Sequence, residues 1–274
     1  MHLKEIIPHE FLSSFVRCYR IIDFEFPDNQ QIPAKVYTPR PEQCLQFFPS
    51  LTKIAYEGRA NDIVPKNAIL FGQHSIVNTR TVYARFLSFQ VVFQPGALYK
   101  LLGMSADLIT NEAVDATDIF GLEIEEVNDQ LFHSKSHLEM VTIVEAFIIK
   151  KIKVAKKEAQ RIDHVAILMT SPDLSYSLDG FVSQSFLSHR QFNRKFIERT
   201  GISPKAFLRI KRFDQAYRMK NNFPELSWFK IAINCGYEDY QHLSKDYKDL
   251  TGLTPIAFFA MESPERLLGS EETY

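Results

Sequence analysis

With 274 residues, 45% hydrophobic and 24% charged, and only 10 Gly and 13 Pro, the chain has the composition of an ordinary globular protein with room for about two domains. That excludes a disordered, fibrous or low-complexity polymer. Cys18, Cys44 and Cys235 are odd in number and far apart, which excludes a disulfide framework and a CxxC metal site and fits a reducing compartment. The opening MHLKEIIPHEFLSS has no cationic stretch followed by an apolar core, and no window holds about 18 uninterrupted apolar residues. The expectation is a cytoplasmic protein that neither spans a membrane nor is exported across one.

In chain order, the first half offers short runs rich in aromatic and β-branched residues: AKVYT, CLQFFP, KIAYEG, NAILFG and RFLSFQVVF. These predict strands of an antiparallel sheet or barrel. From Pro95 the pattern turns helical, with PGALYKLLG, EIEEVNDQLF and the long HLEMVTIVEAFIIKKI, which ends near Lys153. The stretch KVAKKEAQR, charged and without a large aromatic, reads as a linker. From there to about residue 261 the chain reads as helices punctuated by Gly, Pro and Ser.

Net charge divides along the same line. Residues 1–155 carry 15 Lys+Arg against 18 Asp+Glu, whereas 156–261 carry 16 against 11. Within 185–220 ten basic residues face two acidic ones, a candidate surface for a polyanion or, alternatively, a solvated helix face.

The helical half repeats itself at an offset of 51 residues. SHRQFNRKFIERTGISPKAF, 188–207, lies over DYQHLSKDYKDLTGLTPIAF, 239–258, with Thr200/Thr251, Gly201/Gly252, Pro204/Pro255, Ala206/Ala257 and Phe207/Phe258 coinciding. Each copy starts at a capping residue, Ser188 or Asp239, and Gln191 completes a capping box with Ser188. At 100° per residue Phe192 and Phe196, and Leu243 and Tyr247, share an inward face. The opposite face then carries Arg190, Asn193 and Arg194 in one copy and Gln241, Ser244 and Lys245 in the other. Arg and Lys suit guanine O6 and N7, and Asn and Gln suit adenine N6 and N7, so these are side chains able to read a DNA groove. SLDGFVSQSFL and SWFKIAINCGY read as the helices preceding each copy, completing two helix-turn-helix units. Between them AFLRIKRFDQAYRMKNN, apolar at Ala206, Ile210, Phe213 and Tyr217, predicts one connecting helix. Its Lys205, Arg209, Lys211 and Arg212 are candidate phosphate contacts.

FNRKFIERTGISPKAFLRIKRFDQAYRM and IAINCGYEDYQHLSKDYKDLTGLTPIAF resemble the AraC/XylS-type transcriptional regulators over about a quarter of the chain. The resemblance implies a DNA-binding domain of two helix-turn-helix units that set recognition helices into successive major-groove turns. It assigns DNA contacts to Arg190, Asn193 and Arg194 in the first unit and to Tyr240, Gln241, His242 and Lys245 in the second. The chain departs from the pattern at Val182, where Ala is usual, at Phe186, where Gly is frequent, and at Leu243, in place of Phe. VVFQPGALYKLLGMSADLITNEAVDATDIFG, 91–121, is similar to the amino-terminal part of some of these regulators. That implies a small cupin-like β-domain serving as sensor or dimerisation unit.

A barrel mouth is a place for a small ligand, but no residue identifies one, and Arg80, Arg85 and His74 weigh more as surface or structural groups than as an anion site. An enzyme is weighed against this and set aside. Between 34 and 95 His74 is the only histidine, and no G-x-S-x-G elbow or Gly-rich phosphate loop is present. The expected fold is α+β in two domains: a small antiparallel barrel with appended helices at 1–155, an all-α double helix-turn-helix domain at 156–262, and an acidic tail at 263–274. The expected protein is a sequence-specific regulator, not a catalyst, responsive to an effector; the alternative is a DNA binder without one. Its partners would be double-stranded DNA, a small-molecule effector, RNA polymerase and a second copy of the chain, with no cofactor or metal. The near-complete apolar circumference of the helix at 136–152 calls for cover on a second side, by a second protomer or by the DNA-binding domain of the same chain; the family resemblance favours the dimer, through an outer stripe that includes Ile148.

Overall fold

The computed structural model describes residues 2–25, 35–49, 54–56, 67–82, 85–171 and 177–261. The tail at 263–274 lies outside the described residues, as do the side chains of Arg80 and Arg85.

All five strands expected from apolar runs form: β3 (Lys35–Tyr37), β4 (Cys44–Phe47), β5 (Ile54–Tyr56), β6 (Ala68–Phe71) and β8 (Arg85–Phe93). Four more join them: β1 (His2–Ile6), β2 (Val16–Glu25), β7 (Asn78–Val82) and β9 (Ala113–Asp115). The described strands make two antiparallel sheets, one ordered β1-β2-β8-β4-β6-β9 and the other β3-β7-β5, and they do not close into a barrel.

The centre of the six-stranded sheet, along β8, β4 and β6, is buried on both faces. One face presents Tyr19, Ile21, Leu45, Phe47, Leu70, Phe89 and Val91 to the helices of the amino-terminal half. On the other, the register aligns Glu5, Arg20, Gln90 and Gln46 in one row across β1, β2, β8 and β4. Arg20 is 4% exposed and survives there because its charge is matched: Nε lies 2.9 Å from Glu5 Oε1 and Nη1 3.1 Å from Glu42 Oε1. Glu42 also pairs with Arg17. Burial alone would raise the Glu42 carboxyl, but the guanidiniums of Arg20, Arg17 and Arg40 hold it far below the usual carboxylate range.

Helices α1 (Ala97–Leu102), α2 (Ala116–Phe120), α3 (Glu123–His133) and α4 (His137–Lys153) follow, with a 3-10 turn at Ala106–Ile109. Helix α4 is the structural answer to the expected dimer stripe. Met140, Val141, Val144, Phe147 and Ile148 are buried within the chain, Phe147 packing edge-on to Phe47 of β4 and Phe120 of α2. Ile148 is 0% exposed, so it does not belong to any outer stripe. The partly buried Ile143, Ile149 and Ile152 pack against the same amino-terminal core. The face left to solvent carries Thr142, Ala146 and Lys150 with Leu138 at its start.

After a non-helical stretch at 154–160 come α5 (Arg161–Leu168), α6 (Leu178–Ser185), α7 (His189–Thr200), α8 (Pro204–Asn222), α9 (Trp228–Asn234), α10 (Tyr240–Thr251) and α11 (Pro255–Met261). They enclose a core of their own, from Ile162 to Phe258, against which Val36 and Val77 of the β-half also pack. No helix of the described residues is long and apolar enough to cross a membrane.

Candidate nucleic-acid interface

Two twelve-residue helices, α7 and α10, carry the repeated sequence, and they begin and end by the same chemistry. The Ser188 side chain accepts from Gln191 N while the Gln191 side chain accepts from Ser188 N, the expected capping box. At α10 the carboxylate of Asp239 accepts from His242 N at 2.8 Å. Both helices stop at a left-handed glycine, Gly201 at φ +86° and Gly252 at φ +77°. Pro204 and Pro255 then start α8 and α11.

Between these ends the faces separate as the periodicity predicts. Phe192 and Phe196, and Leu243 and Tyr247, are at most 1% exposed in the shared core. Arg190, Asn193 and Arg194 on α7, and Gln241, His242 and Lys245 on α10, are exposed, with Tyr240 and Ser244 half-buried beside them. Among the described residues Arg194 has only a long ion pair with Glu198, 3.5 Å, one turn away. Two equivalent helices thus present cationic and amide side chains outward from one core.

The connecting helix α8 divides the four candidate phosphate contacts. Lys205 and Arg212 are exposed. Arg209 is tied across to α10, with Nε 2.6 Å from Asp246 Oδ1 and a further ion pair to Asp249. Arg212 shares Asp246 at 3.8 Å and lies over the Tyr237 ring. Lys211 is 8% exposed and donates to the Ser171 carbonyl, which withdraws it from any surface role. Of the ten basic residues counted at 185–220, Arg199, Lys211 and Lys220 are buried, so the surface charge is smaller than the sequence suggests. A basic residue with an internal partner looks the same in sequence as one facing solvent.

The preceding helices add a symmetry that the 51-residue comparison did not find. Ser177 and Ser227 cap α6 and α9, each accepting from the amide three residues on, at Gly180 and Lys230. Phe181 matches Ile231 and Val182 matches Ala232, all buried. The offset here is 50, and the missing residue is in the turn. Gly236 adopts φ +76° three residues before the Asp239 cap, whereas Phe186 adopts φ +58° two residues before Ser188. Phe186 is 77% exposed and stacks under the Arg161 guanidinium at 4.1 Å. The position that often holds Gly therefore does need a left-handed backbone, and in the first unit a bulky residue meets that need under strain.

Residues 182–261 match the family model described as Helix-turn-helix domain, and residues 4–115 match one described as Domain of unknown function (DUF6597). The HTH-type transcriptional activator RhaR of Salmonella dublin is 31% identical over 91 residues, which is 33% of this chain and 32% of that protein. RhaR of Salmonella arizonae is 30% identical over the same span. The chain thus spans about a third of the length of the curated relatives it matches. Among solved structures, the DNA-binding domain of AdpA in complex with a target DNA aligns at 23% identity and TM-score 0.36, covering 40% of this chain and all of that one. ToxT from Vibrio cholerae O395 aligns at 11% identity and TM-score 0.46, covering 91% of this chain and 98% of that one. The duplicated helix-turn-helix units, the family match over 182–261 and the RhaR relatives agree that the carboxy-terminal region is a helix-turn-helix domain similar to that of these activators.

Proposed function

We propose that the protein is a sequence-specific DNA-binding transcriptional regulator that reads two adjacent major-groove segments through α7 and α10. The observation that carries this is the repeat of one outward chemistry on two equivalently capped helices: Arg190, Asn193 and Arg194 on one, Gln241, His242 and Lys245 on the other. A merely solvated face has no reason to keep that chemistry twice. Lys205 and Arg212 supply sequence-independent phosphate contacts. The test is selection of bound fragments from random-sequence DNA by the full chain. Enrichment of a site with two conserved segments about 10 base pairs apart is expected; a pool that stays random through successive rounds refutes the reading.

The β-half supports an effector role. The Ser88 hydroxyl, 0% exposed and without a partner among the described residues, shares a face of the sheet with Gln90, Gln46 and Arg20. Polar groups of this kind suit a small polar ligand better than an apolar one. Selected DNA titrated against small-molecule pools should reveal compounds that shift its affinity; indifference to all of them favours a DNA binder without an effector.

A further inference from the structure

The glycines that close the two recognition helices share a backbone conformation and differ in what they touch. A Cβ built on Gly252 meets nothing within 4 Å. On Gly201 it would lie 2.3 Å from Thr110 Oγ1 and 3.0 Å from the Ala106 carbonyl oxygen, both in the amino-terminal half. Thr110 Oγ1 donates to the Gly201 carbonyl at 2.9 Å. The end of α7 is therefore seated on the 3-10 turn at Ala106–Ile109.

Arg199, in the last turn of α7, fastens the same place. It is 1% exposed, with Nε 2.7 Å from Asp163 Oδ1, Nη2 3.0 Å from Gln160 Oε1, and the guanidinium 4.6 Å from the centre of the Tyr99 ring of α1. Gly96, just ahead of α1, approaches so closely that a Cβ there would stand 2.7 Å from Asp163 Oδ1. The stretch leading into α5 is held to α1 as well, because the Lys100 carbonyl accepts from Lys156 N and Lys157 N, each at 3.0 Å. At the equivalent position in α10 stands Leu250, which has no charge to pair. Its carbonyl accepts one long hydrogen bond, 3.4 Å, from Val77 N.

From this asymmetry we infer that the amino-terminal half sets the position of the first recognition helix through its last turn, with Tyr99 and Thr110 as positioning residues. The first unit is then the conditional reader, and the second takes its setting from the helical core. The inference rests on the DNA-reading function proposed above for α7 and α10. Seven residues, about 10 Å of helix axis, separate Gly201 from Arg194. A helix is stiff over that length, so a shift of its seated end moves the reading side chains at the other.

The test uses the full chain carrying Thr110→Val with Tyr99→Ala, which alters the seat and leaves every outward residue of α7 in place. Thr110→Val with Tyr99→Phe keeps the ring. Affinity is measured for the selected DNA and for versions with the first or the second segment scrambled, and hydrogen exchange is followed at 189–200 and 240–251 without DNA. The expected result is a change of about five-fold or more for sites that retain the first segment. Affinity for the site with only the second segment should stay unchanged. Exchange should rise in α7 and not in α10, and the Phe variant should fall between the Ala variant and the native chain. Native-like discrimination together with native-like exchange in α7 overturns the inference. So does an equal rise in both helices, which is general destabilisation. If the native chain selects no DNA at all, the reading function fails, and a selective rise of exchange in α7 still establishes the coupling.

Discussion

Arg194 and Lys205 are expected to behave differently when removed, although both are exposed cations. Arg194 lies on the outward face of α7, so Arg194→Ala should cost about 1–3 kcal/mol at the selected site and relax the choice of base at one position. Lys205→Ala should weaken all sequences alike and lower the salt slope by about one, whereas Lys211, hydrogen-bonded to Ser171, should leave that slope unchanged. Titrations at several salt concentrations separate the three, and a Lys211 variant with a reduced slope contradicts its internal role. Phe186 is a second residue with a sharp expectation. Relief of its left-handed strain by Gly is worth roughly 1–2 kcal/mol. Against that stand the added freedom of the unfolded chain and the lost Arg161 stack, each about 0.5–1 kcal/mol. The two nearly cancel, so Phe186→Gly should be close to neutral. Phe186→Ala, which loses the stack and keeps the strain, should be less stable than the Gly variant by about 1 kcal/mol. Denaturant midpoints give the order; Ala above Gly rules out the strained turn.

The reading elements act as a pair only if α8 holds them on one face of the duplex. Inserting 5 base pairs between the two segments places them on opposite faces, and binding should fall toward that of a single segment. Undiminished affinity means that one unit reads alone, a result visible in a footprint. These elements were legible in the sequence because each carries several signals that agree: a cap, a helical period, a left-handed glycine and a proline start. The strands of the amino-terminal half were legible only where apolar residues run together. β2 was not, because VRCYRIIDFE places Arg20 on a buried face, and what makes that possible, Glu5 on β1 and Glu42 ahead of β4, lies 15 and 22 residues away. Lys211 failed to be read for the same reason, its partner Ser171 being 40 residues distant. Pairings that span the chain leave no local mark.

At the scale of the whole molecule, the Arg17, Arg20 and Glu42 cluster makes stability depend on acid. The Glu42 carboxyl titrates lower in the folded chain than its ordinary value of 4.5, so the folded state gains from its charge above that pH and loses that gain as the pH falls below it. Thermal melts should therefore drop on acidification from about pH 5 downward, beyond what unpaired carboxylates cause. Glu42→Gln leaves Arg20 short of counter-charge in a side-chain environment only 5% exposed, and should cost about 3–5 kcal/mol at neutral pH while flattening the acid limb. A variant that melts with the native pH profile shows that the cluster does not carry this dependence.

The extra residue in the second turn bears on how specificity can be moved between the two units. Transplanting the reading side chains of α10 onto α7 requires counting from the caps, Ser188 against Asp239, because counting from the first helices, Ser177 against Ser227, slips the register by one. One residue on a helix is a rotation of 100°, so the slipped count sets His242 onto Phe192 in the core, while Gln241 and Lys245 fall on Gln191 and Lys195 and change nothing. A designer who aligns by the first helix would swap an operator preference for an unfolded domain, and one who aligns by the cap would recombine the two half-site codes at will.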